Sequence, residues 1–525
     1  MTMRSKMSTL RACAVITAAA TAIGLAWWAF APASRAGGDA SADTDRSVAD
    51  LQATVARLQQ RIARLEDEDQ IENLISIYGY YLDKREWDQL AELFADDGTM
   101  EISLRGVYVG KPSIRRALVL FGPLYISTDY LHNHMQLQPV IRISADGTRA
   151  WSRTRALSEL GTFEQVGIWG DGVYANEYVK QNGVWKIASD HIYTGFFATY
   201  DKGWEFAAAG APRASDKIPP DRPPTVLYDS YPGEYIPPFD YPHPVTGAEI
   251  EIPPGLRVRP NSGPAAGARS PLDAGQPVDE RSSANAAAAT SAGAPKNAAA
   301  PTSAERPAST QMGTETADAG VQRQLADARA RVEQVEQTVG RLEDERAIET
   351  LQRTYGYLVD KAMWREAADL FADDGTLEDG GRGVFVGKAR ILQYLTWLAP
   401  RGLTFGKLQN VMQLQPIVTI APDGETAKAR WEWLSERGEY RKSAGWGIGT
   451  YENEYVKQNG VWKLKTLHAY VRMSTPYAEG WARAALPNTR PAKNLPPDRP
   501  PTVAYESYPA TYIPPYDYPN PVTGK

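Results

Sequence analysis

Apolar residues recur at spacings of three and four through Val48, Leu51, Val55, Leu58, Ile62 and Leu65. Such a stripe predicts a coiled-coil-like helix over 47–66, or the first helix of a domain extended backwards. The stripe returns at Leu325, Ala328, Val332, Val335, Val339 and Leu342, predicting a second such helix over 321–343. The two are expected to pair within one chain or to drive dimerisation, unless each lies on its own domain. The helical period runs on through Ile71, Leu74, Ile75 and Tyr78, and a second amphipathic helix follows around Trp87, Leu90 and Phe94. Asp96–Asp97–Gly98 reads as the turn that ends it. From Gly106 the pattern is one of strands and turns, with one more helix from Ser113 to Leu120. Asn182–Gly183, between Tyr174–Tyr178 and Trp185–Tyr193, is a strong hairpin signal. Helices first and long antiparallel strands afterwards make an α+β domain.

The chain says nearly all of this twice. Arg64–Leu65–Glu66–Asp67–Glu68 returns as Arg341 to Glu345, and Glu177 to Lys186 returns unchanged as Glu454 to Lys463. The offset is fixed: Asp83 to Asp360 and His191 to His468 are both 277 residues. One period of this length is a duplicated domain, since solenoid repeats run about 20–50 residues. The copies span 64–200 and 341–477. Each is followed by a Pro/Tyr-rich arm, 201–251 and 478–525. In the first arm, Pro219 to Pro244 carries Tyr228, Tyr231, Tyr235, Phe239 and Tyr241. That composition predicts an extended, polyproline-like strap anchored by its aromatics, covering its own domain or swapping to a neighbour. Residues 252–320, rich in Ala, Pro, Ser and Gly, are expected to form a disordered linker.

Composition narrows the function. A net charge of −6 over 525 residues supplies no basic stripe for nucleic acid. The single cysteine, Cys13, excludes an internal disulfide and a cysteine-based zinc site. Arg4, Lys6 and Arg11 precede an uncharged run from Ala12 to Ala33, so 1–36 reads as a signal peptide cut after Ala33 or Ala36. The run is also long enough for a membrane anchor, with Trp27, Trp28 and Phe30 at its interface. Either way the folded part is expected to be exported, to the periplasm or cell envelope.

Tyr78–Gly79–Tyr80–Tyr81–Leu82–Asp83, Trp87, and Leu90 to Gly98 are followed by Gly106, Gly110 and the closing Asn182 to Ile187. In these residues each copy resembles the SnoaL-like branch of the nuclear transport factor 2-like superfamily. The resemblance implies two cone-shaped domains, each with N-terminal helices on a strongly curved sheet enclosing a mostly apolar pocket for a small hydrophobic ligand. Members similar to scytalone dehydratase place an Asp on the first helices, a His on an early strand and polar groups on later strands. The superfamily also pairs its sheets, so a homodimer or an intrachain pairing of the copies is expected.

Asp83 and Asp360 take the position of the family's helix Asp. Burial among Tyr78, Tyr80 and Trp87 would raise the Asp83 pKa toward neutrality, although Asp83 could instead cap the helix at Trp87. His134 matches the strand His, with His132 on the same face. A metal pair there lacks a carboxylate at ligand spacing, and the second copy has Gln409 and Val411 instead. A two-residue turn sets Tyr174 opposite His191, so His191 and His468 are expected to point inward with Tyr174 and Asn176, as pocket groups or core histidines. Glu159 and Glu436 lie near a second family His, or face solvent. Glu177 and Glu454 should face out. Asp171 is matched by Ile448, a further difference between the copies. Trp87, Tyr355 and Tyr451 would line the pockets.

No nucleophile elbow, phosphate loop or dinucleotide fingerprint is present in the sequence, so no cofactor is expected. The leading expectation is an exported, cofactor-independent lyase or isomerase acting on a hydrophobic oxygenated aromatic or polycyclic molecule. Asp83 and His134 would exchange protons while Tyr78, Tyr174 and His191 orient the substrate; carbon–carbon cleavage is a variant. The rival expectation is a non-catalytic envelope protein that binds a ligand or serves as a scaffold.

Overall fold

The computed structural model describes residues 38–206, 209–261, 314–520 and 522–523. The expected signal or anchor over 1–36 lies outside these residues, as does most of the expected linker. Among the described residues no helix is long and apolar enough to cross a membrane. The chain divides into two units, one made of 1–62 with 277–339 and the other of 63–276 with 340–525.

Helix α1, Gly38–Lys84, runs from the first unit into domain 1, and α2 is Trp87–Glu92. Then follow β1 (Phe94–Ile102), β2 (Val107–Val109), α3 (Gly110–Leu118), β3 (Tyr130–Ile143), β4 (Arg149–Thr162), β5 (Val166–Gln181) and β6 (Val184–Thr199). The arm adds α4 (Gly203–Phe206), β7 (Val226–Leu227) and β8 (Arg259–Pro260). The second copy repeats the plan with α5 (Thr314–Asp360), α6 (Trp364–Asp369), β9 (Phe371–Asp379), β10 (Val384–Val386) and α7 (Lys388–Leu398). Its long strands are β11 (Lys407–Ile420), β12 (Thr426–Glu439), β13 (Ser443–Gln458) and β14 (Val461–Pro476).

In the first unit the N-terminal halves of α1 and α5 run side by side in parallel. Gln322 hydrogen-bonds Thr44 at 3.3 Å and Arg61 pairs with Glu336 at 3.8 Å. Leu51, Val55, Leu58 and Ile62 on one helix and Val332, Val335 and Val339 on the other are buried. The apolar stripe is thus used within one chain.

In the second unit each domain is a six-stranded sheet in the order β2-β1-β6-β5-β4-β3, or its repeat β10-β9-β14-β13-β12-β11. The long strands β3 to β6 and β11 to β14 are antiparallel as expected, while β1 pairs with β6, and β9 with β14, in parallel. Asp96–Asp97–Gly98 is no helix-ending turn. It sits inside β1 as an irregularity between the pairs Phe94↔Ile187 and Thr99↔Ser189. A Cβ on Gly98 would come within 2.9 Å of the Ala95 carbonyl, so the bulge needs glycine. The linker expected over 252–320 is shorter at both ends: β8 pairs with β7, and α5 begins at Thr314.

The repeated motifs hold each helix to its hairpin. Asp67 accepts from the Trp185 indole at 2.9 Å and from Lys180 at 2.6 Å; Asp344 does the same with Trp462 at 2.8 Å and Lys457 at 2.6 Å. Asn182 and Gly183 both have positive φ and close the hairpin as a tight primed turn. The arms are strapped alike: Tyr228 accepts from the Thr194 amide at 3.0 Å and Tyr505 from the Val471 amide at 2.7 Å. Arm 1 also reaches domain 2, where His243 bonds the Glu366 carbonyl at 2.9 Å and Lys361 lies over Tyr235.

The domains meet within the chain. Gln138 accepts from the Gln413 amide at 3.0 Å and donates to the Arg353 carbonyl at 2.8 Å, while Tyr357 donates to the Gln138 carbonyl at 2.9 Å. The contact is unequal. Tyr357 is 1% exposed, whereas its repeat partner Tyr80 is 72% exposed.

Candidate active site in the first domain

Helix α1 supplies Tyr78 and Asp83, five residues apart, and Gly79 lets it lie close on β3. A Cβ there would approach the Gln136 side chain to 3.1 Å and the His134 carbonyl to 3.3 Å. Asp83 is half-buried at the end of α1, and its Oδ1 accepts from the His134 backbone amide at 2.6 Å. Burial raises its pKa, against the pull of that N–H. The capping alternative fails, because Glu86 is the N-cap of α2 and no side chain caps that end.

The His132 and His134 rings are 4.5 Å apart. His132 Nδ1–H donates to the Leu82 carbonyl at 2.9 Å, and Trp87 and Phe121 pack against its ring. Burial, the neighbouring His134 and the Arg85 charge hold His132 neutral down to about 2. Burial and Arg85 lower His134 to about 4. His134 Nδ1 is buried without a hydrogen-bond partner. Among the described residues no group of three His, Cys, Asp or Glu could hold a metal.

The far side of the same inner face holds a residue the sequence reading passed over. Asp190 is fully buried, its Oδ2 accepts from the Tyr78 hydroxyl at 2.9 Å, and its Oδ1 has no hydrogen-bond partner. Burial pushes its pKa up to about 7, against Tyr78 and Asn176. The Tyr174 ring meets Tyr78 edge-on at 5.8 Å, and its hydroxyl lies within reach of Tyr78 and Gln136. Burial, then the charge of Asp190, raises the Tyr174 pKa; Asp83 adds a smaller push, so Tyr174 stands within the field of both carboxyls.

A single extra residue caused the miss. Tyr178 pairs with Ile187 and Glu177 with Ser189, leaving Ala188 unpaired in a bulge. The bulge reverses which side chains face inward beyond it. Tyr174 therefore opposes Ile192, Asn176 opposes Asp190, and His191 faces out. The expectation that His191 and His468 line the pockets is overturned. His191 stacks on Tyr193 at 4.0 Å and lies 3.6 Å from Glu101, which binds Thr225 of the arm. His468 repeats this with Tyr470, Glu378 and Thr502. Both are strap histidines. The bulge itself had no clear sequence signal; the change from Asp190 to Leu467 between copies did.

Glu159 is half-buried and accepts from Asn133 at 3.0 Å, off the inner face. Glu436 takes the same bond from Asn410 but is fully buried, with Oε1 unpartnered; burial, then Asp171, raises its pKa. Neither lies on the inner face with His134.

The inner face of domain 2 carries larger side chains than that of domain 1. Trp431 and Trp433 stand on its inner face, opposite Tyr451 and Gly449, where domain 1 has Thr154 and Ala156. Val411 replaces His134, and Gln409 replaces His132 by donating to the Val359 carbonyl at 2.6 Å. Gln352 bonds Gln413, Asn453 and Tyr455 at 2.8–3.0 Å, a neutral network next to Leu467. Asp360 keeps the bond to the Val411 amide at 2.6 Å but also pairs with Arg155 of domain 1. Arg155 is held by Asp171 at 2.7 Å as well. Among the described residues Asp83 has no ion pair of that kind. Tyr355 meets Tyr451 edge-on, both buried in this filled interior. An open groove of about 470 Å³ beside Lys428, Glu454 and Asp517 is lined by Tyr455 of that network and by none of the other groups named here.

Residues 63–191 and 340–468 match the profile of the SnoaL-like domain. A hexachlorocyclohexane dehydrochlorinase from Sphingobium indicum is 30% identical over 142 residues, 27% of this chain and 89% of that protein. Among solved structures, a candidate scytalone dehydratase from Novosphingobium aromaticivorans is similar at 20% identity, covering 30% of this chain and 97% of that one with a TM-score of 0.25. A hexachlorocyclohexane dehydrochlorinase of type 2 is similar at 23% identity, covering 26% of this chain and 91% of that one with a TM-score of 0.24. The chain belongs to the SnoaL-like family and carries two tandem copies of its domain.

Proposed function

We propose that domain 1 is a cofactor-independent lyase that eliminates a small group from a hydrophobic, oxygenated aromatic or polycyclic substrate, and that domain 2 is its structural partner. The observation that carries this reading is the contrast on one inner face. Domain 1 sets His134, Asp83, Tyr78 and Asp190 beside the small Thr154 and Ala156, whereas domain 2 has Val411, Leu467, Trp431 and Trp433. Neutral at ordinary pH, His134 takes a proton from carbon at its unpartnered Nδ1. Asp83 sits against the same stretch of backbone and balances the imidazolium that forms. The 30% identical relative is by name a dehydrochlorinase, itself an eliminating enzyme.

The proposal extends to location: the Ala12 to Ala33 run supports an exported enzyme, which cell fractionation tests. For activity, the full chain is given hydroxylated and halogenated cyclic ketones, and new conjugated product is followed by absorbance. His134→Gln is expected to lower turnover about 10²-fold or more. Unchanged turnover in that variant would remove the lyase reading.

A further inference from the structure

The contact between the two domains joins unlike faces. Domain 1 and its arm contribute Trp204, whose indole donates to the Arg437 carbonyl at 2.9 Å, and Tyr231, which meets the Tyr440 ring edge-on. Domain 2 contributes Tyr357, Leu408 and Tyr440, and Leu408 packs in one cluster with Trp204 and Tyr231. The fixed offset of 277 residues locates the same two faces where they are left over. Trp204 and Tyr231 correspond to Trp481 and Tyr508 of arm 2, and Trp481 is 59% exposed against 0% for Trp204. Tyr357, Leu408 and Tyr440 correspond to Tyr80, Leu131 and Phe163 of domain 1, all exposed, Phe163 at 68%. Large apolar side chains standing in water at the positions of an interface mark a surface that another molecule covers.

The polar parts of the contact are repeated as well. In β3, Gln138 has a φ of 57°; its carbonyl accepts from Tyr357 at 2.9 Å, and Arg153 lies over the Tyr357 ring at 4.7 Å. In β11 the same kink stands at Gln415, with a φ of 50°, but Gln415 is exposed where Gln138 is buried. Arg430 takes the Arg153 position, and its Nη1 is buried without a hydrogen-bond partner. Independently of the lyase reading, we infer that chains associate head to tail. The sheet face and arm of domain 2 in one chain dock on the α1 face of domain 1 in a second copy, where Tyr80 donates to the Gln415 carbonyl beneath Arg430. The two faces differ and each occurs once per chain, so the contact is heterologous and passes from chain to chain as a ring or a filament. The buried ion pair of the internal contact is not copied, because Glu432 stands in place of Arg155 and pairs with Arg472. The contact between chains is therefore the weaker of the two and dissociates on dilution.

Sedimentation of the full chain over a dilution series tests this. The wild type is expected to run above the mass of one chain and to fall toward it on dilution. One variant carries Tyr80→Glu and Phe163→Glu, the other Trp481→Glu and Tyr508→Glu. Each should run as a single chain with a wild-type melting profile, since all four side chains are exposed. Mixed in equal amounts, the two variants should form a two-chain particle and nothing larger, because one intact face of each kind remains. A wild-type chain that stays single overturns the inference. So does association that survives both variants, or a mixture that stays single. If the single wild-type chain sediments instead with phosphatidylglycerol vesicles, the faces meet a membrane and the inference falls.

Discussion

At the residue scale the proposed chemistry turns on ionisable side chains whose surroundings set their protonation. His134, lowered to about 4, is neutral at ordinary pH and can accept a proton, while burial raises Asp190 to about 7. The titratable side chains facing Asp190 are Tyr78 from α1 and Tyr174 and Tyr178 from β5, while β1 presents Met100. The rate is therefore expected to rise through about 4 as His134 loses its proton; a pH series of kcat/KM checks it, and a profile with no limb near 4 would contradict the role. Stability should follow Asp190. The folded pKa of Asp190 lies above its unfolded value of 3.8, so the folded chain keeps a proton the unfolded chain has released. Stability from this source is full below about 4, falls as pH rises toward 7, and is made pH-independent in Asp190→Asn. His191→Gln, by contrast, is expected to keep turnover within about threefold and to cost about 1 kcal/mol of stability, read by melting, because it touches only the strap.

At the element scale the sequence pattern was legible wherever periodicity ran unbroken. The long helices, the Asn182–Gly183 hairpin and the two-copy plan all follow from spacing alone. The readings that failed sit at bulges. Asp96–Asp97–Gly98 resembles a turn but is absorbed into β1, and Ala188 shifts β6 so that Asp190 replaces His191 on the inner face. A period-two argument has no means of seeing one inserted residue, and one is enough to exchange the faces. Residues kept in both copies, such as His191 with His468 and Asp67 with Asp344, serve strap and clamp. The side chains proposed for chemistry are those where the copies part, except Asp83, Tyr78 and Tyr174. The clamp gives a paired expectation: Asp67→Ala and Asp344→Ala should each cost about 1–3 kcal/mol in denaturant unfolding, since each leaves a buried indole N–H without its acceptor.

On the scale of the whole molecule, duplication has given two domains of one topology whose inner faces differ. The inner indoles of domain 2 have small counterparts in domain 1, so Ala156→Trp should transplant the filling and abolish turnover and ligand binding, measured side by side. The domain contact gives Asp360 a structural role. It holds Arg155, and the repeat position of Arg155 is Glu432, which pairs with Arg472 and offers Asp83 no matching cation. Asp360→Asn breaks a fully buried ion pair and should cost about 3–5 kcal/mol, seen as a lower melting temperature. The most direct measurement compares initial rates of Asp83→Asn and Asp360→Asn in the full chain on one substrate, at a temperature where both remain folded. The account expects turnover lost about 10²-fold or more in Asp83→Asn and retained in Asp360→Asn. Equal losses in the two variants, or loss only in Asp360→Asn, would contradict the assignment of the chemistry to domain 1.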